Sequence, residues 1–390
     1  MKSPDSNIRR VALLIDTSTS WGVRIIRGIH QFAQQEDDWL FHIEPRGRYE
    51  RLRLPQGWTG DGIIARVNHK GLADEIVASG IPTVNVSWYD FPGSRVARCT
   101  VSEIESGRMA AEYFLAGGFK NFGYCGPRRR PGYKDVFADE YRQTIQEAGC
   151  ECDSFQATAK TPDNIAWDVQ LASLVEWLGR LPKPSAVLSW SAARGRQVTE
   201  ACHYAGIRVP DDIAVLGGDY DELMEDISNP PLSTIEQPSE KIGFEAARLL
   251  TRLMEGEPPP ETPSLLSPSR VNVRHSTDTL AVDDSMVRSA LKFIQKNATR
   301  DIRVGDVVDD LAIARRSLEQ RFVRSLGRTP AEEIRRVRIE AAKQLLVDTN
   351  LTMAKIALQC GFGHQDLFSR IFRRFVGCTP TEYRRQHGSS

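Results

Sequence analysis

No stretch of the 390 residues approaches the ~18 to 20 consecutive apolar positions needed to cross a bilayer. The start, MKSPDSNIRR, has no secretory apolar segment and runs straight into a short strand, so a cytoplasmic protein with no membrane partner is expected. Cysteine is scarce. The seven (99, 125, 150, 152, 202, 360 and 378) include no CxxC pair, which leaves a zinc site or disulfide framework without support and fits structural thiols kept reduced. Signatures of catalysis are missing as well: no GxSxG, no P-loop and no GxGxxG after a strand, so neither an enzyme nor a cofactor or metal is expected. Net charge is zero, with 51 basic and 51 acidic residues, but the two signs are unevenly spread. Ser285 to Ser390 holds 20 Lys and Arg against 11 Asp and Glu, a net +9 balanced by −9 in the rest. One end suits a polyanion and the other does not.

What is present begins most clearly near the C-terminus. Thr352 to Cys360 predicts a helix with Ile356 and Ala357 inward, Gly361 permits the positive φ of a tight turn, and Phe362 plugs that turn. In the following helix, Gln365 to Val376, the residues Phe368, Ile371, Phe372 and Phe375 fall at i, i+3, i+4 and i+7, one apolar stripe. Asp366, Ser369, Arg370 and Arg373 take the opposite side, where a guanidinium can grip guanine O6/N7 or a phosphate. Gly377 stops the helix, and Thr379-Pro380-Thr381-Glu382 opens another with threonine as N-cap, proline at N1 and glutamate at N3.

The pattern occurs twice. Leu318, Phe322, Gly327 and Thr329-Pro330 each stand fifty positions before Phe368, Phe372, Gly377 and Thr379-Pro380. Two helix-turn-helix units are therefore expected, joined by a helix from Pro330 to Val347 whose Ile334, Val337, Ala341 and Leu345 line one side. As a rigid spacer it would hold the readers about one DNA turn, ~34 Å, apart. In the first unit Val307 and Val308 take the places of Ile356 and Ala357, and Ala314 offers no side-chain cap. Its outward residues are Arg316, Glu319, Gln320 and Val323. Arg316 and Gln320 suit guanine and adenine edges, and Glu319 a cytosine amine. Arg315, Arg324, Arg374 and Lys355 suit phosphates, with Gln365 at a groove edge. The expected partner is double-stranded DNA.

The larger part, residues 9 to 276, alternates short β-branched runs with amphipathic helices. RVALLID (10 to 16) reads as a buried parallel strand and GVRIIRGIHQFAQQ (22 to 35) as its helix. DGIIARV (61 to 67), PTVNVS (82 to 87), KNFGYCG (120 to 126), SAVLSW (185 to 190) and IAVLGGD (213 to 219) continue the pattern, which implies parallel sheets with right-handed crossovers. Such sheets bind ligands beyond the carboxyl ends of their strands.

Two resemblances become specific on these residues. DGIIA (61 to 65), VPDDIAVLGGDYDEL (209 to 223) and PPLSTIEQPSEKIGFEAARLL (230 to 250) resemble the ligand-binding core of LacI-type regulators and periplasmic sugar-binding proteins. IALQCGF, FSRIFRRFVG and TPTEYR, within residues 285 to 386, resemble the AraC-family DNA-binding domain. Together they imply an α/β core of two subdomains with parallel sheets and a ligand cleft between them, followed by an all-α domain with two helix-turn-helix units. The implied divisions are a sensor at 1–276, a polar linker at 277–284 and a reader at 285–390. Connecting strands would lie near Cys99 to Val101, Thr234 to Gln237 and after Pro260. The implied function is sequence-specific transcription regulation of the AraC family, controlled by a small sugar such as xylose. A homodimer formed through the sensor half and contact with RNA polymerase follow from the same likeness.

Residues just past strand ends are the candidates for holding the sugar: Asp16, Thr17, Ser18 and Trp21; Arg66 and Asn68; Trp88; Arg128; Trp190 and Ser191; Asp219. Carboxylates, amides and guanidiniums satisfy sugar hydroxyls, and indole faces cover the C–H surface of a pyranose. Asp219 is foremost, because GGDYDE stands where related regulators carry a ligand-binding aspartate. The chain departs from such sensors at Phe137, where they place an arginine, and at Ala192, where they place an aspartate. Arg128-Arg129-Arg130 offers an alternative, a phosphorylated or acidic sugar, set against a merely solvated loop.

Overall fold

The computed structural model describes residues 8–36, 39–45, 51–88, 96–127, 134–155, 167–278, 282 and 284–387. Arg128 and the two arginines after it lie outside the described residues, as does part of the expected linker.

The first subdomain opens with β1 (Arg9–Leu14), α1 (Ser20–Glu36), β2 (Trp39–Ile43), β3 (Gly62–Ala65), α2 (Lys70–Ser79), β4 (Thr83–Asn85) and β5 (Ala97–Val101). The chain then crosses into the second through α3 (Glu103–Ala116), β6 (Asn121–Cys125), α4 (Val136–Glu147), β7 (Cys152–Phe155), α5 (Trp167–Arg180), β8 (Ser185–Ser189), α6 (Ala192–Tyr204), β9 (Ile213–Gly217), α7 (Glu222–Ile227) and β10 (Ser233–Glu236). α8 (Ser239–Met254) and β11 (Ser264–Leu266) return to the first subdomain, and β12 (Arg270–Asn272) ends in the second. These are the three expected connections.

One sheet runs β11-β5-β4-β3-β1-β2 with every pairing parallel; the other runs β12-β10-β9-β8-β6-β7, parallel except for β12 on β10. Helices cover both faces, which is why Gly62–Ala65 and Ile213–Gly217 are buried throughout rather than alternating. α1 and α8 pack closely: a Cβ on Gly28 would sit 1.8 Å from the Glu240 carbonyl oxygen, and one on Gly243 2.1 Å from that of Ile25. Strands β2 and β7 were not read from the sequence. WLFHI and CDSF are short edge strands with at most half-buried faces, and neither carries a clean alternation.

Thr277, expected at the start of the polar linker, is instead buried together with Ser276 in a short 3-10 turn at His275–Thr277. Ser276 Oγ donates to the Val215 carbonyl at 2.6 Å and accepts from Ser233 N at 2.8 Å.

The remaining helices form the reader: α9 (Ser285–Asn297), α10 (Val304–Asp310), α11 (Arg315–Leu326), α12 (Pro330–Asp348), α13 (Met353–Gln359), α14 (Gln365–Val376) and α15 (Pro380–His387). They build two cores. Val287, Leu291, Ile294, Val307, Leu318, Phe322 and Ile334 fill one; Ile339, Ala342, Leu346, Ile356, Ala357, Phe362, Phe368 and Phe372 fill the other. α12 is shared, and the single stripe expected on it is corrected: Ile334 serves the first core, while Ile339, Ala342 and Leu346 serve the second. Val337, Ala341 and Leu345 are only partly buried. A helix between two cores must bury two faces, and no one 3.6-period stripe records both.

Candidate DNA interface and effector cleft

Each reader unit sets its second helix by the same means. Thr352 Oγ1 accepts from Lys355 N to start α13, Gly361 takes φ 72°, and Phe362 packs on Phe368 with ring centroids 5.2 Å apart. Gly377 closes α14 in the left-handed conformation, as Gly327 closes α11. Thr329 and Thr379 open the next helices, each exchanging hydrogen bonds with the glutamate at N3. In the first unit α11 starts at Ala314 with no side-chain cap, and its turn places Ala312 at φ 48°, the position that Gly361 holds in the second.

This geometry turns Arg315, Arg316, Gln320 and Arg324 of α11 outward, with Glu319 half-buried. On α14 it exposes Gln365, Asp366, Arg370, Arg373 and Arg374, with Ser369 half-buried. All eleven DNA-face candidates thus lie away from the two cores. Arg315 Nε donates to Glu319 Oε1 at 3.0 Å, so the glutamate expected to meet a cytosine is tethered on its own helix. One member of the apolar stripe is corrected: Phe375 is 48% exposed, because the helix rotates it beyond Phe372 and past the edge of the core.

In the sensor, strand ends bring several candidates together. Asp16, after β1, is 1% exposed and accepts a hydrogen bond from Arg66 Nη1, after β3. The Arg66 guanidinium lies over the Trp21 ring, 5.0 Å from its centroid. Asp16, Arg66 and Trp21 therefore form one cluster; Thr17 and Ser18 sit in the loop above it, and Asn68 is half-buried beyond β3. In the second subdomain, Asp219 follows β9 and accepts the Ala192 N–H at 2.6 Å, while Ser191 Oγ accepts the Arg194 N–H at 3.2 Å. The two cap α6, a placement its positive N-terminal end favours. Trp190 is partly buried against the second subdomain's core, and its backbone N–H donates to the Cys125 carbonyl at 3.0 Å. Trp88 is half-buried at the end of β4, its carbonyl accepting from Arg98 Nη1 at 3.0 Å.

The two departures have visible consequences. Phe137 is buried, and a Cβ on Gly218 would come within 2.9 Å of its ring, so the aromatic fills the space beside the Asp219 turn. Ala192 is fully buried and contributes only its N–H.

Five further residues bridge the subdomains and were not anticipated. Ser20 Oγ accepts the Glu222 N–H at 3.0 Å. Arg24, one turn along α1, pairs with Glu236 at 3.2 Å and stacks over Tyr220 at 4.1 Å. The sequence signal was the adjacency of Tyr220 to Asp219 and the helical spacing of Ser20 and Arg24, which no motif marked. Where the first crossover enters α3, burial and the charge of Asp135 push the Glu103 carboxyl up to about 7 against the pull of Arg98.

Two family models match: a periplasmic binding protein-like domain over residues 111–277 and a helix-turn-helix domain over 307–386. The chain is similar to the xylose operon regulatory protein of Escherichia coli (strain K12), 28% identical over 386 residues and 96% of each chain. The protein of that name from Haemophilus influenzae is 27% identical over 394 residues, 96% of this chain and 98% of its own. Among solved structures, that of the xylose-binding transcription activator xylR superposes with a TM-score of 0.63 at 26% identity, covering 98% of this chain and 100% of that one. The fold, the paired readers and these likenesses define a DNA-binding transcription regulator with a periplasmic-binding-protein-like core ahead of an AraC-type reader, and not an enzyme. Over nearly its full length the chain is similar to regulators of the xylose operon type.

Proposed function

We propose that the protein reads paired major-groove faces with α11 and α14 and that a small neutral sugar, of which xylose is the first candidate, sets its occupancy of DNA. The observation that carries this is the outward presentation of Arg316, Gln320, Arg370 and Arg373 on two similarly built recognition helices. Arg315, Arg324, Arg374 and Lys355 flank them for phosphates, which position the protein without reading sequence. For the sugar, support comes from Asp16, Arg66 and Trp21 on one lip of the cleft and Asp219 with Ser191 on the other, and from the names of the relatives. Thr17, Trp88 and Trp190 belong to the same group by their place at strand ends. The protein acts as a homodimer joined through its sensors and recruits RNA polymerase as an activator.

Binding of the full chain to a selected duplex is expected to weaken steeply with salt through counterion release. Replacing Gln320 and Arg370 together by alanine is expected to cost sequence preference, about 1 to 3 kcal/mol per lost base contact. Equal discrimination by that variant at matched salt would reject the recognition faces. The effector is tested by thermal shift of the full chain with pentoses, hexoses, their acids and their phosphates, since a ligand of the folded state raises the melting point by mass action. Stabilisation by phosphorylated sugars alone would transfer the site to Arg128 and its neighbours.

A further inference from the structure

The reader does not hang from the sensor by its linker alone. Helix α3 leaves the first crossover strand directly: Ser102, its N-cap, follows β5, and Glu103 at its first turn faces charges from both subdomains, Arg98 and Asp135. Its body packs on α4, where a Cβ on Gly107 would meet the Phe137 carbonyl oxygen at 2.4 Å, and Arg108 pairs with Glu140 at 2.6 Å. Its outer face runs antiparallel along the reader. Glu105 lies within electrostatic reach of Tyr383, Glu112 within reach of Lys343 and Glu340, and Tyr113 within reach of Arg336. At the C-terminal end of α3, Arg328 Nη2 donates to the Ala116 carbonyl.

That last contact is tightly held. Arg328 Nε also donates to Glu333 Oε2 at 2.6 Å, and Glu333 takes Arg336 Nη2 at 2.7 Å, though the glutamate is only 1% exposed. Burial pushes the Glu333 carboxyl up, but Arg336 and Arg328 outweigh it and hold it below the ordinary carboxylate range. Beside this cluster, Tyr113 Oη and Thr277 Oγ1 are 2.8 Å apart, and Thr277 Oγ1 lies 2.7 Å from Ser233 Oγ. The end of the sensor chain and the joining helix of the reader are therefore fastened to one helix.

We infer that α3 is the strut that couples the effector cleft to the placement of the reader, and so of its two recognition helices as a unit, with the Arg328–Glu333–Arg336 cluster on the Ala116 carbonyl as its reader-side joint. The inference rests on the proposed regulatory reading and adds its route. α3 begins where the subdomains hinge, so closure of the cleft reorients it; it ends on α12, which holds both reader cores, so a shift of α3 moves both recognition helices as one body. The polar joint suits this work, because charge-assisted bonds have defined partners and so offer discrete docked and released arrangements.

Coupling is reciprocal, so DNA serves as the probe and the effector need not be known. Hydrogen–deuterium exchange is followed in the full chain with and without a duplex selected from a randomised pool. In the wild type, DNA is expected to change exchange in α3 and in the cleft segments 16–24 and 219–222. In Arg328→Ala, which leaves Glu333 paired with Arg336, DNA is expected to bind with unchanged affinity while those sensor responses are lost. Tyr113→Phe removes one hydroxyl only and is expected to reduce them. A sensor that ignores DNA in the wild type, or responds in both variants as it does in the wild type, overturns the strut while leaving DNA binding intact. Failure of any duplex to be selected would instead overturn the regulatory reading beneath it.

Discussion

Ala312 and Gly361 occupy the same turn in the two reader units, and only one of them suits it. At φ 48° an alanine carries a left-handed strain of about 1 to 2 kcal/mol, whereas glycine at φ 72° carries none. Ala312→Gly is therefore expected to raise stability by about 0.5 to 1 kcal/mol, the entropy given to the unfolded chain offsetting part of the relief. The reverse change at Gly361 is expected to cost more than about 2 kcal/mol, since its Cβ would lie 2.7 Å from the Arg300 carbonyl oxygen and 2.9 Å from Arg338 Nε. Arg338 cannot give way cheaply: it donates to the Ala298, Arg300 and Ile302 carbonyls at 2.7, 2.9 and 2.9 Å. Chemical denaturation of both variants checks the pair. The need for glycine at 361 was legible in the sequence; the burden on Ala312 was not, because alanine gives no sign of its φ.

At the level of elements, α14 matches the sequence reading in its bounds and in its Phe368 and Phe372, both fully buried. Phe375 fails the reading because periodicity fixes a direction around a helix but not the width of the surface that receives it. Phe372→Ala is expected to cost about 3 to 5 kcal/mol, while Phe375→Ser is expected to stay within about 1 kcal/mol and to leave the melting point nearly unchanged. A loss at Phe375 as large as that at Phe372 would show that its face is covered in solution. α12 teaches the same lesson: its capping box was plain in Thr329-Pro330-Ala331-Glu332, but its two buried faces became distinct only with a core at each end.

For the whole molecule, the docking of reader on sensor sets a pH dependence. Glu333 titrates below its unfolded range, so its contribution is fully present above about pH 4.5 and is lost as pH falls through its lowered folded value. Melting of the full chain between pH 3 and 6 is expected to show this loss, and Glu333→Gln is expected to flatten it while lowering stability near neutral pH. An unchanged acid profile in that variant would remove the cluster from the stability of the assembly. No helix among the described residues is long and apolar enough to cross a membrane, and no group of three or more potential ligands among them forms a metal site.

The sequence by itself determined the local grammar of this protein: buried strands as continuous apolar runs, the duplicated helix-turn-helix with its glycines, and the arginines opposite each apolar stripe. These depend on residue type and spacing within one element, which a chain carries in its order. Only the tertiary structure decided which strand ends meet, and so paired Asp16 with Arg66 and carried Ser20 and Arg24 across to Glu222, Tyr220 and Glu236. It also buried Ser276 and Thr277 instead of freeing them, and laid α3 along the joining helix. Such contacts join residues as many as 212 positions apart, and their energy depends on burial and geometry that no local pattern encodes.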